Sequence, residues 1–171
     1  MFLLITLLGS AQKHDHTWLL GYNSDGGLPG TEIINLNFNE TPMSITTESR
    51  ASAFFVSSAM LSDTSGKLLF YTDGCDVYNS SDEMIENGDG LNPGEVHDIQ
   101  CDNGVGDGYT AGWQSSLILP SPATDDTYYV VHKKIEYVYE PSFDVVTTGL
   151  FYTLVDAKSN EGAGEKIKKN V

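Results

Sequence analysis

The chain is short of positive charge. Nine lysines and arginines face 24 acidic residues, for a net charge of −15, and Arg50 is the single arginine. Such a surface repels phosphate backbones, so nucleic acid is not an expected partner. Long apolar runs are missing too. The stretch Phe2 to Leu8 is too short to cross a bilayer as a helix, and no other segment could span one. Cysteine is scarce: two cysteines with four histidines argue against a structural zinc site. No Gly-x-Ser-x-Gly elbow occurs, and His97 and His132 fall in an irregular stretch and a strand. Ser-His-Asp hydrolysis therefore has no support, and His132 reads as a packed or edge residue. No long stretch repeats at the helical period, so helices should be few and short.

What is present suits a folded β protein. At 171 residues, 40% hydrophobic and 11% aromatic, the chain can form one domain with a core despite its 17 glycines. Its acidity reads as a solvated, soluble surface or, more sharply, as carboxylates that bind calcium. Phe2 to Leu8, followed by Gly9-Ser10-Ala11, has the form of a signal-peptide core and cleavage site, though no positive residue precedes it. The other reading is a buried N-terminal strand. The expectation is a signal peptide over residues 1–11, cleavage after Ala11, Gln12 at the mature end, and a secreted or cell-surface location. In an exported chain, Cys75 and Cys101 read as one disulfide, with free or metal-bound thiols as the alternative. His14, third in that mature chain, has a copper-binding position that reads as incidental.

Repetition carries the fold. Gly66-Lys-Leu-Leu-Phe-Tyr-Thr-Asp-Gly74 sets large β-formers between two glycine-bearing turns. Its unit runs Ser57-Ser58-Ala59-Met60-Leu61, a polar turn, then Leu68-Leu69-Phe70-Tyr71. A related unit runs Ser115-Ser116-Leu117-Ile118-Leu119, Pro120 to Thr127, then Tyr128-Tyr129-Val130-Val131. A repeated β-meander means blades or layers side by side. Strands are expected at Thr17–Gly21, Thr31–Phe38, Met43–Thr47, Ala51–Leu61, Lys67–Thr72, Cys75–Asn79 and Met84–Ile85. A second set follows at Trp113–Leu119, Thr127–Lys133, Gly149–Val155 and Glu165–Lys169. Asp63-Thr-Ser-Gly66 is a hairpin turn with Asp63 as its cap, and Pro141 to Thr148 is expected to be a polar loop. Glu86 to Gly112, with seven glycines and six carboxylates, breaks the rhythm. A loop that long in a compact domain is functional or specially tied down. The expected fold class is all-β: antiparallel meander blades of a β-propeller that two units cannot close. Residues 12–171 then read as the N-terminal fragment of a larger protein, partnered by the remaining blades of the same polypeptide.

Several short motifs bring a family into view. They are Ala11-Gln12, Trp18 with Gly21, Gly66 to Gly74, Val77-Tyr78-Asn79, Met84 with Asn87-Gly88, and Gln114-Ser115-Ser116. Tyr128-Tyr129, Gly149-Leu150 with Tyr152, Val155-Asp156 and Lys169-Asn170 complete the order. The chain resembles the N-terminal region of large secreted or surface proteins of Bacteroidetes, gliding-motility-associated proteins or proteins carrying a type IX secretion sorting domain at the far C-terminus. The resemblance covers nearly the whole chain and implies a propeller-like region and an export route. It brings no catalytic residues, and the sorting domain itself is absent from these residues.

Within Glu86 to Gly112, the carboxylates of Asp89, Glu95, Asp98, Asp102 and Asp107 are candidate calcium ligands, since flexible acidic, glycine-rich loops supply close oxygens. Their spacing is not that of an EF-hand, and the alternative is a solvated loop held by Cys101. Tyr109, Trp113, Tyr137, Tyr139 and Phe143 flank the irregular stretches. Of these, Tyr109, Trp113, Tyr137 and Tyr139 are candidate ligand contacts, with Tyr137 and Tyr139 as an outward pair beside Val138. Glycoside hydrolysis needs two carboxylates facing across a sugar, a condition that 24 acidic residues can meet by chance. A sialidase would need several arginines. The expected role is non-catalytic binding or adhesion, to a protein or a polysaccharide. A carbohydrate-active enzyme and a purely structural spacer are the rivals.

Overall fold

The structure, a computed structural model, describes residues 12–21, 30, 32–54, 56–102 and 108–171. Three antiparallel meander sheets follow one another along the chain. The first holds β1 (Thr17–Leu20), β2 (Ile33–Asn37) and β3 (Ser44–Glu48); the middle one holds β4 (Ala59–Ser62), β5 (Leu68–Thr72) and β6 (Val77–Asn79). The third, in the order β10-β9-β8-β7, is built from β7 (Ser116–Pro120), β8 (Thr127–Val138), β9 (Asp144–Asp156) and β10 (Glu165–Lys168). The chain is all-β with little helix, and the three sheets do not close into a ring.

Side-chain alternation stacks the sheets. Successive residues of a strand point to opposite faces, and the middle sheet is apolar on both. Ala59, Leu61, Phe70 and Val77 pack with Ile118, Tyr128, Val130 and Val155 of the third sheet. Met60, Tyr71 and Tyr78, one residue out of step, pack with Leu19, Ile33 and Phe54 on the other side. The first strands of the sheets lie side by side, β1 against β4 and β4 against β7. The hairpin into β5 is tied as its sequence predicts: Asp63 Oδ1 accepts from the backbone N–H of Ser65 at 2.8 Å and of Lys67 at 3.1 Å. Gly66, at φ +91°, leaves room for Asn39, whose Nδ2 donates to the Gly66 carbonyl at 2.7 Å. A side chain at Gly66 would push Asn39 away and loosen the hairpin from the first sheet.

The long irregular stretch is tied down. One helical turn, α1 (Glu95–His97), runs into a π-helical segment at Asp98–Asp102 and brings Cys101 to Cys75, with Cα atoms 5.7 Å apart. Under this bridge, Cys75, Val96, Tyr109, Ala111 and Ile135 form a separate small core against β8. Ahead of α1, Glu86 makes a parallel bridge to Glu165, and the Lys166 N–H donates to the Glu86 carbonyl at 2.9 Å. That segment lies along the free edge of β10.

Three local expectations are corrected. The Pro141–Thr148 loop is mostly strand: Asp144 to Thr147 pair with Val138 to Ile135, because Val145 and Val146 carry β-favouring side chains that the proline and serine ahead of them mask. The strand expected from Ala51 begins only at Ala59, since the serines before it are used as anchors. Ser57 Oγ accepts from the Ala111 N–H at 2.9 Å, and Ser52 Oγ donates to Asp73 at 2.6 Å. Met84–Ile85 contributes one isolated bridge, Tyr78 to Met84, in place of a strand.

The disulfide closes a separation of 26 residues, which corresponds to about 3–4 kcal/mol of denatured-state entropy. The Cys75→Ser, Cys101→Ser double variant should melt on the order of 10 °C below the oxidised protein. Differential scanning calorimetry checks it, and an unchanged Tm would mean the bridge constrains nothing.

Candidate ligand-binding surface

β8 and β9 reach well beyond the rest of their sheet, and their hairpin ends in an aromatic cluster. Ring centroids lie 5.5 Å apart for Tyr137 and Phe143, 5.9 Å for Tyr139 and Phe143, and 6.4 Å for Tyr137 and Tyr139. Tyr139 and Phe143 are 57% and 63% exposed. Their edges are fixed by the disulfide-tied segment. Tyr139 donates its hydroxyl proton to Glu95 at 2.7 Å, and Gln100 Nε2 donates to the Tyr137 hydroxyl at 2.9 Å. Gln100 is itself clamped, donating to Thr110 Oγ1 at 2.7 Å and accepting from the Thr110 N–H at 2.8 Å. The rings are thus oriented from behind while two of them face solvent. Preorganisation of this kind lowers the entropy lost on binding.

The other expected contacts part company. Trp113 is 85% exposed in the turn before β7 and, among the described residues, makes no ring contact with the cluster. Tyr109 is only 1% exposed and is no ligand contact. Its hydroxyl accepts from the Ile135 N–H at 2.9 Å and donates to the Ile135 carbonyl at 3.1 Å. The β8–β9 pairing slips at Lys134/Ile135, so the tyrosine supplies partners for backbone groups at an irregular point of the ladder.

Three of the acidic candidates for calcium are engaged separately. Asp89 faces Lys169 Nζ at 3.3 Å, and that hydrogen bond holds its carboxyl below the usual range. Glu95 holds Tyr139, and Asp102 lies 3.4 Å from His97 Nε2. Asp98 sits exposed where α1 meets the π-helical segment, and Asp107 lies outside the described residues. Among the described residues no three His, Cys, Asp or Glu side chains gather around one point.

Two of the hollows among the described residues bear on binding. Where β1, β4 and β7 converge there is an apolar groove of about 480 Å³, lined in part by Trp18, Leu20, Met60, Leu117 and Leu119. A larger, polar hollow of about 820 Å³ holds Asp63, Asp125, Asp126, Tyr128 and Lys158. Asp126 is paired with Lys158 at 2.7 Å. Burial opposes the charge on Asp63, but hydrogen bonds from Ser65 and from the backbone of Lys67 and Gly66 hold its carboxyl below the usual range. A glycosidase needs one carboxyl raised to act as acid. Burial first, and then Asp73, do raise Asp76. Its Oδ1, however, accepts from the Gly90 N–H at 3.0 Å, and it lines neither hollow.

Sequence reasoning missed a buried polar network beneath the Asp89–Asn92 segment. His132, fully buried, contacts Asn92 Oδ1 at 2.7 Å through Nδ1 and Thr153 Oγ1 at 3.1 Å through Nε2. Asn170 accepts from the Asn92 N–H at 3.1 Å and donates to the Gly90 carbonyl at 3.0 Å. Lys166 donates to the Asp89 carbonyl, and its burial pulls the amine down to about 7. These residues are scattered over the sequence at no shared spacing, so only the fold reveals them.

Compared with family models, curated proteins and solved structures, the chain has no match in any of the three.

Burial, with a smaller push from Lys166, lowers His132 from 6.5 to about 4. Between those two pH values the unfolded chain binds a proton that the folded chain does not, so stability falls as pH falls and levels off below about 4. The size is about 3 kcal/mol. Urea unfolding of wild type and His132→Gln across this window should show a shallower slope for the variant. Parallel slopes would remove His132 as the source.

Proposed function

We propose that this chain is a non-catalytic binding module of an exported or cell-surface protein, and that its three sheets are successive blades of a propeller-like stack. The aromatic cluster at the β8–β9 tip carries the reading. Tyr139 and Phe143 offer open ring faces, while Glu95 and Gln100, on the disulfide-tied segment, fix the cluster from behind. Flat aromatic faces bordered by hydrogen-bonding groups suit the apolar faces of sugar rings, so the ligand is a polysaccharide. The net charge of −15 favours a neutral or cationic chain over a polyanion. Export is supported by the form of residues 1–11 and by the Cys75–Cys101 bridge, since disulfides persist in oxidising compartments.

Each exposed ring is worth about 1 kcal/mol to a stacked ligand. The Tyr139→Ala, Phe143→Ala double variant should therefore bind roughly tenfold more weakly or worse, with its Tm nearly unchanged because both rings are exposed. Affinity electrophoresis through gels cast with neutral polysaccharides reads this directly. Equal retardation of wild type and variant would move the site elsewhere, and cleavage of any of these polymers would support the glycosidase reading instead.

A further inference from the structure

The turn that fixes the aromatic tip is weakly tied to the sheets by its own backbone. Among the described residues, residues 93–102 make one backbone hydrogen bond outside their helical turns. It joins the Asp98 N–H to the Gly94 carbonyl and so stays within the stretch. The chain on either side is pinned. Leu91 donates its N–H to the Cys75 carbonyl at 2.7 Å, and Tyr109 donates its N–H to the Asp73 carbonyl at 3.1 Å. Between those points the turn is held through Val96 in the small core, the Cys75–Cys101 bridge and side-chain bonds to Thr110 and the tip.

Gln100 links the bridge to the rings. It precedes Cys101 in the chain, and its side-chain amide joins the Tyr137 hydroxyl to Thr110. Thr110 is a fixed point, because Tyr109 before it is bonded to Ile135 and the Ala111 N–H after it donates to Ser57. Cys101 and Tyr137 also pack against the same small core. At the other end of the turn, Glu95 accepts the hydroxyl proton of Tyr139. The clusters that stack the three sheets share no residue with this core. Opening the bridge therefore reaches the tip without undoing the stack.

We propose that the Cys75–Cys101 bridge is a switch that makes the aromatic tip competent to bind. Oxidised, the turn fixes the rings from behind; reduced, it releases Glu95 and Gln100, and Tyr137 and Tyr139 lose their common orientation. The proposal rests on reading the tip as the binding site and adds the condition under which that site works. Closing the bridge takes two protons and two electrons from the paired thiols, and the disulfide of a thiol-exchange oxidant accepts them and leaves as a dithiol. Thiols stay reduced in the cytosol and oxidise after export. The chain is thus blind to its ligand before export and gains the ability to bind afterwards. Two rings that must be ordered anew at each encounter weaken binding by about tenfold.

The Cys75→Ser, Cys101→Ser double variant stands for the reduced chain and is compared with oxidised wild type where circular dichroism shows both folded. With isotope-labelled tyrosine rings, the NMR signals of Tyr137 and Tyr139 are assigned with Tyr137→Phe and Tyr139→Phe. In the serine variant they should move towards free tyrosine, while those of Tyr71 and Tyr128 in the stacked clusters stay in place. In gels cast with hydroxyethylcellulose or galactomannan, the serine variant should bind about tenfold more weakly. The Glu95→Ala, Gln100→Ala variant keeps the bridge, so it tests the same route even if the serine variant does not fold. It should show the same ring signals and the same loss, and adding the serines should weaken it little further. Unmoved Tyr137 and Tyr139 signals, or equal retardation of oxidised wild type and serine variant, overturn the switch. Serine and alanine effects that add in full overturn its route through the turn. Oxidised wild type retarded by neither gel overturns the polysaccharide reading instead, and the ring signals then decide the switch.

Discussion

The middle sheet depends on alternation. Phe70 and Tyr71 are neighbours in one strand, and each is the centre of a different apolar cluster. Among the described residues each outer sheet packs its buried apolar face on the middle one, so both depend on this strand. A slip of one residue in β5 would exchange the two faces and send Tyr71, whose hydroxyl donates to Asp82 at 2.8 Å, into a cluster that offers Phe70 no such acceptor. Arg50 reinforces the same choice. It pairs with Glu48 at 2.7 Å and Asp82 at 3.0 Å and lies over the Tyr71 ring, so the chain's single arginine joins the first sheet to the middle one.

Much of this was legible in the residues. The run from Leu68 to Thr72 and its later counterpart read as strands because large β-formers sit between turn residues, and Asp63 acts as the cap that its position suggests. The disulfide could be read from there being just two cysteines, once the first residues are taken for a signal peptide. Tyr109 was not legible. An aromatic residue set among glycines and carboxylates looks exposed, and only the slip between Lys134 and Ile135 explains why its hydroxyl is needed inside. Pro141 and Ser142 hid the continuation of β9 because local turn signals outweigh a valine pair when the partner strand is unknown.

The aromatic tip shows the same division between local and distant information. Tyr137 and Tyr139 stand out from their alternation with Val138. Their support comes from Glu95 and Gln100 on a distant segment whose position depends on Cys101 reaching Cys75. Among its described residues the acidic loop supports those rings and the network around His132. Three of its carboxylates, Asp89, Glu95 and Asp102, are engaged singly, by Lys169, Tyr139 and His97.

The bridge between Glu86 and Glu165 has a consequence for how the molecule meets its surroundings. β10 ends the third sheet, and an uncovered edge strand presents a ladder of unpaired amides and carbonyls to any passing extended chain. Here the Glu86 carbonyl accepts the Lys166 amide, and the Glu86 amide donates to the Gly164 carbonyl. The irregular stretch thus occupies the start of that rim with one bridge, and a strand from another molecule would have to displace Glu86 to pair with Gly164 and Lys166.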